Sequence, residues 1–540
     1  MEFIRKNVFN IIMIISIILS IGLCVYTVGN YTKNTANTNN YAQGNFQGSG
    51  KNQGRTPPDG KMGNGTNENI NQNNGGNTNN QAQRPQFQGG NMNRGMSSSG
   101  SNKYISPILI AYIIAFFGTF ITLFTFRKRR RVALSDKNKK ILIYGLLALG
   151  LLLRISLGLY SQGFISDINL FKNWATTAAN NLTGFYSGSR TSDYPPFYIY
   201  ILFLTGKLAS LSTINPYFTF LIKLPSILAD IVTAFFIYKI GKKYIKEELS
   251  MLISIFYIFN PAIFINSTIW GQVDSFFTMI IVLAVYLMTE GKIALSSVVF
   301  TIGVLMKPQG IIYLPVLFFE LVRRKSIKSF LVSGISALIT ALIIILPFSI
   351  TKGFTWIINL FSNTIGEYPY ASVNGYNFFT LLGQNYTSDS QSFIFFSYHT
   401  WGIIFIILIT LFTWFIYIKG NSKIIAPLAA LIQIAGVFTF STSMHERYLF
   451  PAAALALLAY IYIKDKRLLI LASVYSMTIY LNTQDVLFNS GNGMGSAPSG
   501  FLLFITSLTN VIAFIYLGKT AWDIAVKKRT YELEENKEVS

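Results

Sequence analysis

Carboxylate, lysine, arginine and histidine side chains stand at the ends of long apolar runs in this 540-residue chain. Asp167 lies in GFISDINLFKNWA and Asp193 in SDYPPFYIY; Trp270, Gln272 and Asp274 share IWGQVDSFF. Lys307 and Gln309 fall in LMKPQGIIY, and His445, Glu446, Arg447 and Tyr448 in MHERYLFP. Each group has a structural reading of its own, such as a loop carboxylate, a tight turn around Gly271, a snorkelling lysine or a lipid-headgroup arginine. Yet an ionisable group in hydrocarbon costs about 2.5–3.5 kcal/mol on insertion scales, so several near one depth call for a common reason. A cavity lined by a carboxylate with Lys, Arg and His suits chemistry on an anionic, lipid-borne substrate. The cations would hold a phosphate and the carboxylate would take a proton. Sugar transfer from a polyprenyl phosphate fits these parts: an acceptor hydroxyl attacks the anomeric carbon and lipid phosphate leaves from the opposite face. Cations beside the departing group would stabilise its growing charge.

Membrane helices must position these groups. The chain is 51% hydrophobic and 12% charged, which excludes an ordinary soluble domain and predicts an all-α multi-pass membrane protein. Its net charge of +22 is a topology signal rather than a nucleic-acid patch, because the Lys and Arg residues cluster beside apolar runs. The clusters at 127–131, 137–140, 242–246, 323–328, 419–423, 464–467 and 527–529 are assigned to the cytoplasm. Apolar spans then fall at 8–29, 105–126, 141–161, 217–240, 249–268, 273–290, 294–309, 310–322, 329–349, 401–418, 424–440, 449–463, 467–484 and 500–518. Both termini come out cytoplasmic, and the polar groups above come out extracytoplasmic. The stretch 196–211 would invert every later cluster if counted as a crossing, so it is expected to be re-entrant or interfacial. Lys307, between two runs short for full crossings, is expected below the surface.

Residues 1–30 read as a membrane anchor rather than a cleaved signal peptide. Residues 31–103, rich in Asn, Gly and Gln, read as a disordered extracytoplasmic tether. A second anchor span and basic loop fill 104–140, a membrane core fills 141–520, and 521–540 form a charged cytoplasmic tail. The single cysteine, Cys24, excludes an intrachain disulfide framework. There is no Asp-x-Asp motif, phosphate-cradling Gly loop or dinucleotide fingerprint, and too few His and Cys for a metal cluster built from them. No internal repeat supports a transporter of duplicated halves. A flippase for a lipid-linked glycan stands as the alternative, with the same cations gripping phosphate.

SDINLFKNWA, YPPFYIY, LPSILADIV, WGQVDSFF, LMKPQGIIYLP and HERYLFP, in this order, resemble the GT-C superfamily of polyprenyl-phosphate-sugar glycosyltransferases. Within it they look most like bacterial mannosyltransferases related to the PIG-V type enzymes of GPI-anchor assembly, over roughly residues 141 to 520. The resemblance implies a GT-C-like helical bundle of about 13–15 transmembrane helices in the plasma membrane, with the first-loop acid, Asp167, as catalytic base. It implies that WGQVDS, KPQG and HERY line an outward-facing cavity; with Asp193, sorted to the same face, the expected substrate-binding residues are Asp193, Trp270, Gln272, Asp274, Lys307, Gln309, His445, Arg447 and Tyr448. A polyprenyl-phosphate sugar, mannose by family default, is the expected donor, and no cofactor or metal is expected. Where relatives commonly pair acids, this chain reads Ser166-Asp167-Ile168-Asn169, which weakens any case for a divalent ion there.

Arg447 is the expected phosphate grip and His445 its hydrogen-bonding neighbour, while Glu446, one position along a helix, should point elsewhere. The aromatic and amide-rich 350–400 loop is expected to cover the cavity, with His399 interfacial.

Overall fold

The computed structural model describes residues 13–31, 112, 114, 116–118, 136–188, 192–353, 355–489 and 500–532. The expected tether, apart from Tyr31, and most of the second anchor span lie outside the described residues. Regular structure among the described residues is helical except for the hairpin Ser392–Phe393 with Phe396–Ser397 and isolated bridges. The chain is an all-α multi-pass membrane protein. Among the described residues, seven helices are long and apolar enough to cross a bilayer, from Met13–Tyr31 to Gly500–Ala525. The pair Glu247–Ile258 and Pro261–Trp270, bent by 41°, makes an eighth.

Several expected crossings take a shorter form. The runs 273–290, 294–309 and 449–463 are the helices Asp274–Thr289, Ile293–Met306 and Pro451–Ile463. The run 310–322 is a tight turn, Pro308–Tyr313, leading into Leu314–Arg324. Pro196–Ala209, the stretch that broke the charge alternation, spans 14 residues, or about 21 Å at 1.5 Å per residue. It is too short to cross about 30 Å of hydrocarbon. At the centre lie Ala426–Phe440 and Pro451–Ile463, apolar on all sides and almost wholly buried, as expected of helices surrounded by other helices. The segment 441–450, which carries HERY, joins them.

Two local devices shape the helix ends at the polar cluster. Pro261 removes a backbone donor and breaks its helix, and the carbonyls freed there find other partners. Arg154 donates to Ile258 O at 2.7 Å and Tyr112 to Phe259 O at 2.5 Å, while Asn260 caps Ala262 N at 3.0 Å. Arg154 is held by Asp230 at 2.9 Å, both side chains fully buried, and Ser267 donates to Asp230 at 2.6 Å. Past the break the helix widens to a π turn, Ile265–Trp270, which Gly271 ends at φ 89°, a left-handed conformation that glycine adopts without steric cost. The second device is the Lys307 hairpin. Pro308 forces Lys307 into extended backbone, φ −150° and ψ 134°. Gly310 then lies so close that a Cβ there would sit 2.6 Å from Val304 Cα.

The opposite end of the helices is tied by charge. Glu320 accepts from Arg323, Arg324 and Tyr417, and Arg467 bridges Asp465 and Asp523 at 2.8 Å each. Tyr531 packs under the Arg467 guanidinium, 4.5 Å from ring centre to Cζ, and its N–H donates to Asp465.

Candidate active site

Asp167 is the third residue of the Ile165–Asn180 helix. Its carboxylate accepts from Trp270 Nε1 at 2.7 Å and from Gln272 Nε2. Both donors flank Gly271, so the turn that ends the π segment aims them at Asp167. The loop before Asp167 is bound to the same turn: Phe164 N donates to Trp270 O and Ser161 Oγ to Ile269 O, each at 2.9 Å.

Two residues on, Asp274 opens the next helix and is buried. It accepts from Lys307 Nζ and, at 3.0 Å, from Asn266 Nδ2. Arg447 Nε stands 3.7 Å from the same carboxylate, and its guanidinium pairs with Glu446. Arg447 also lies over the Trp270 ring at 5.5 Å, and Lys307 over Tyr448 at 5.2 Å. One carboxylate thus sits between two cations, and one of them, Arg447, faces the Trp270 ring whose N–H donates to Asp167. Among the described residues, four buried polar atoms of this cluster lack a hydrogen-bond partner: Arg447 Nε, His445 Nε2, Gln272 Oε1 and Asn266 Oδ1. Buried polar groups are nearly always bonded, so these are free to meet a ligand.

Asp193 joins through the aromatic cluster of Tyr194 with Phe171 and Trp174, at ring distances of 5.9 and 5.4 Å, and through Thr364, which donates to its carbonyl. Burial pushes the Asp193 carboxyl up, against the pull of Lys307 and Arg447. Burial holds His445 well below its ordinary value, reinforced by Arg447 and Lys307. His445 is therefore a neutral hydrogen-bonding group at physiological pH.

The 366–397 segment is strapped to HERY. Val373 N and Gly375 N both donate to Met444 O, and Ser443 N donates to Tyr370 O. Tyr368 meets the His445 ring edge-on at 4.6 Å. Behind the strap, Asn482 bonds Tyr376 N and Asn374 O, and Asn510 bonds Tyr376 O.

The structure thus gathers Asp167, Asp193, Trp270, Gln272, Asp274, Lys307, His445, Arg447 and Tyr448. Gln309 is different: it lies on the turn past Lys307 and makes no hydrogen bond to the cluster among the described residues. Glu446 corrects the sequence reading, because 445–450 is a run of turns rather than a helix. Its buried carboxylate braces Arg447, and burial raises its pKa despite that pairing. Asn266 and Tyr368 were not anticipated; only the polar run Asn266-Ser267-Thr268 inside an apolar segment hinted at the first. His399 is exposed and pairs with Asp389 at 3.1 Å, outside the cluster. No group of three or more His, Cys, Asp or Glu that could hold a metal occurs among the described residues.

Residues 193–350 match the family model of dolichyl-phosphate-mannose-protein mannosyltransferases. The match covers less than a third of the chain and supports a glycosyltransferase family of the GT-C type. The matched segment carries Asp193, Trp270, Gln272, Asp274, Lys307 and Gln309, while Asp167 and the HERY residues lie outside it. No curated protein matches the chain at a significant level.

Proposed function

We propose that this membrane glycosyltransferase moves a hexose, mannose by family default, from a polyprenyl-phosphate sugar to a cell-envelope acceptor. The reaction takes place at the extracytoplasmic face of the plasma membrane, with inversion at the anomeric carbon. The observation that carries the reading is the pairing of a held carboxylate, Asp167, with buried cations that keep an unused donor, Arg447 Nε.

In this mechanism Lys307 and Arg447 hold the donor phosphate, with neutral His445 adding a hydrogen bond. The acceptor oxygen forms a bond to the anomeric carbon as that carbon's bond to the phosphate oxygen breaks, and the electron pair leaves with the phosphate. The hydroxyl proton passes to Asp167. Trp270 and Gln272 fix that carboxylate's direction, which is worth most when the base must meet one oxygen at one angle. Asp274 pairs with Lys307, and Glu446 with Arg447, before substrate arrives.

Asp167→Asn keeps the shape and removes the base. With a purified chain and polyprenyl-phosphate mannose, its rate is expected to fall about a hundredfold to ten-thousandfold with donor binding retained. Full turnover in that variant sinks the assignment, and movement of labelled lipid between leaflets without a new glycosidic bond favours a flippase.

A further inference from the structure

Lys223 takes no part in the chemistry above. It lies in the first turns of the Phe218–Tyr244 helix and is wholly buried. Among the described residues its ammonium meets only main-chain carbonyls: Ser161 O at 2.6 Å, Thr268 O at 3.1 Å and Gly158 O at 3.3 Å. A cation buried with no carboxylate is costly, and a methionine would fill the same space without that cost. Its acceptors explain its presence. Gly158 and Ser161 end the helix that leads to Asp167, and Thr268 belongs to the π turn that leads to Trp270 and Gln272. Both are helix ends, with unpaired carbonyls and negative partial charge. The lysine stem runs beneath Gly271, where an added Cβ would stand 3.1 Å from its Cγ.

We propose that Lys223 is a positioning residue for Asp167. It clips the 158–161 chain to the 268–272 turn, so that Trp270 and Gln272 hold the carboxylate at the angle proton abstraction needs. The proposal rests on the glycosyl-transfer reading. Lys223 touches neither donor nor acceptor; it sets the distance between two segments far apart in sequence. The ties from Ser161 Oγ and Phe164 N act on the same seam, and Lys223 joins its two sides through one group that meets carbonyls of both.

The test is Lys223→Met in the full-length chain. With polyprenyl-phosphate mannose, kcat is expected to fall about tenfold to a hundredfold while the donor KM stays within about twofold. In an Asp167→Asn background the same change should lower the rate by less than about twofold further, since both act through one carboxylate. Hydrogen exchange over residues 161–168 should quicken in Lys223→Met. Ser161→Ala, a milder cut of the same seam, should lower kcat about threefold, and it decides the matter if Lys223→Met does not fold. Wild-type kcat, or a loss that multiplies in full with that of Asp167→Asn, overturns the proposal. The exchange arm needs no turnover: unchanged protection at 161–168 overturns the clip even if the chain transfers no sugar. An inactive wild-type chain with a Lys223-dependent clip overturns only the transfer reading.

Discussion

His445 shows how much a single side chain is set by its surroundings. Between its lowered folded value and the unfolded value of about 6.5, the unfolded chain binds a proton that the folded chain refuses. More protons on the unfolded state means that stability rises with pH in that window and is lost as pH falls below about 6.5. Asp193 and Glu446, both raised, contribute with the opposite sign, so the useful quantity is a difference. Melting temperatures of the wild type and His445→Gln, measured in detergent from pH 7 to pH 5, should diverge in slope, with the wild type losing more. Parallel curves would contradict a neutral buried His445. Most of the cluster was legible at this scale because polar residues are conspicuous in an apolar chain, and sidedness from Lys and Arg sorted them onto one face. Glu446 was misread because periodicity assumes a helix, and nothing in HERY marks the run of turns that lets adjacent side chains meet. Tyr368 fell only under the expectation that the aromatic 350–400 loop covers the cavity; nothing singled it out, since its place depends on a strand-like pairing 70-odd residues away in sequence, with Ser443 and Met444.

Among the elements, the bent span does most to place the site. Hydropathy reads 249–268 as one crossing, because apolar continuity is blind to direction; the visible hint was Asn260-Pro261. What the sequence hides is the compensation, a fully buried Arg154 that serves both the Asp230 carboxylate and the carbonyl freed at the break. Arg154→Met would strand Asp230 as an unpaired buried charge, at a cost of about 3–5 kcal/mol. Arg154→Met with Asp230→Leu should recover much of that. Thermal unfolding of the three chains checks this, and a single variant as stable as the wild type would remove Arg154 from the account of the bend. Pro196–Ala209 was flagged by charge alternation alone, and its 14 residues match the length of Ile293–Met306, so length does not set it apart.

At the level of the whole molecule, the chain divides its polar groups between two ends. One end is closed by ion pairs among Glu320, Arg323, Arg324, Asp465, Arg467 and Asp523; the other pairs Lys307 with Asp274 and Arg447 with Glu446 and also keeps polar atoms without a hydrogen-bond partner. That division was legible as a bias in Lys and Arg, though the pairing was not. The helix that delivers Lys307 has a further consequence. Ile293–Met306 spans 14 residues, so it rises about 21 Å through a hydrocarbon layer about 30 Å thick. In the proposed reaction, Lys307 would meet the donor phosphate at a level where lipid tails would otherwise be, and the surrounding leaflet would thin to let it descend. Hydrophobic mismatch becomes a rate parameter. In proteoliposomes of phosphatidylcholine with 14-carbon acyl chains, transfer should run several-fold faster than with 22-carbon chains, since each added ångström of thickness costs a fraction of a kcal/mol. Equal rates in both would mean that the cluster opens to water by a route independent of the bilayer. A thickness-dependent enzyme would work best in thin regions of membrane, so the lipid around the protein would help decide where new glycan is laid down.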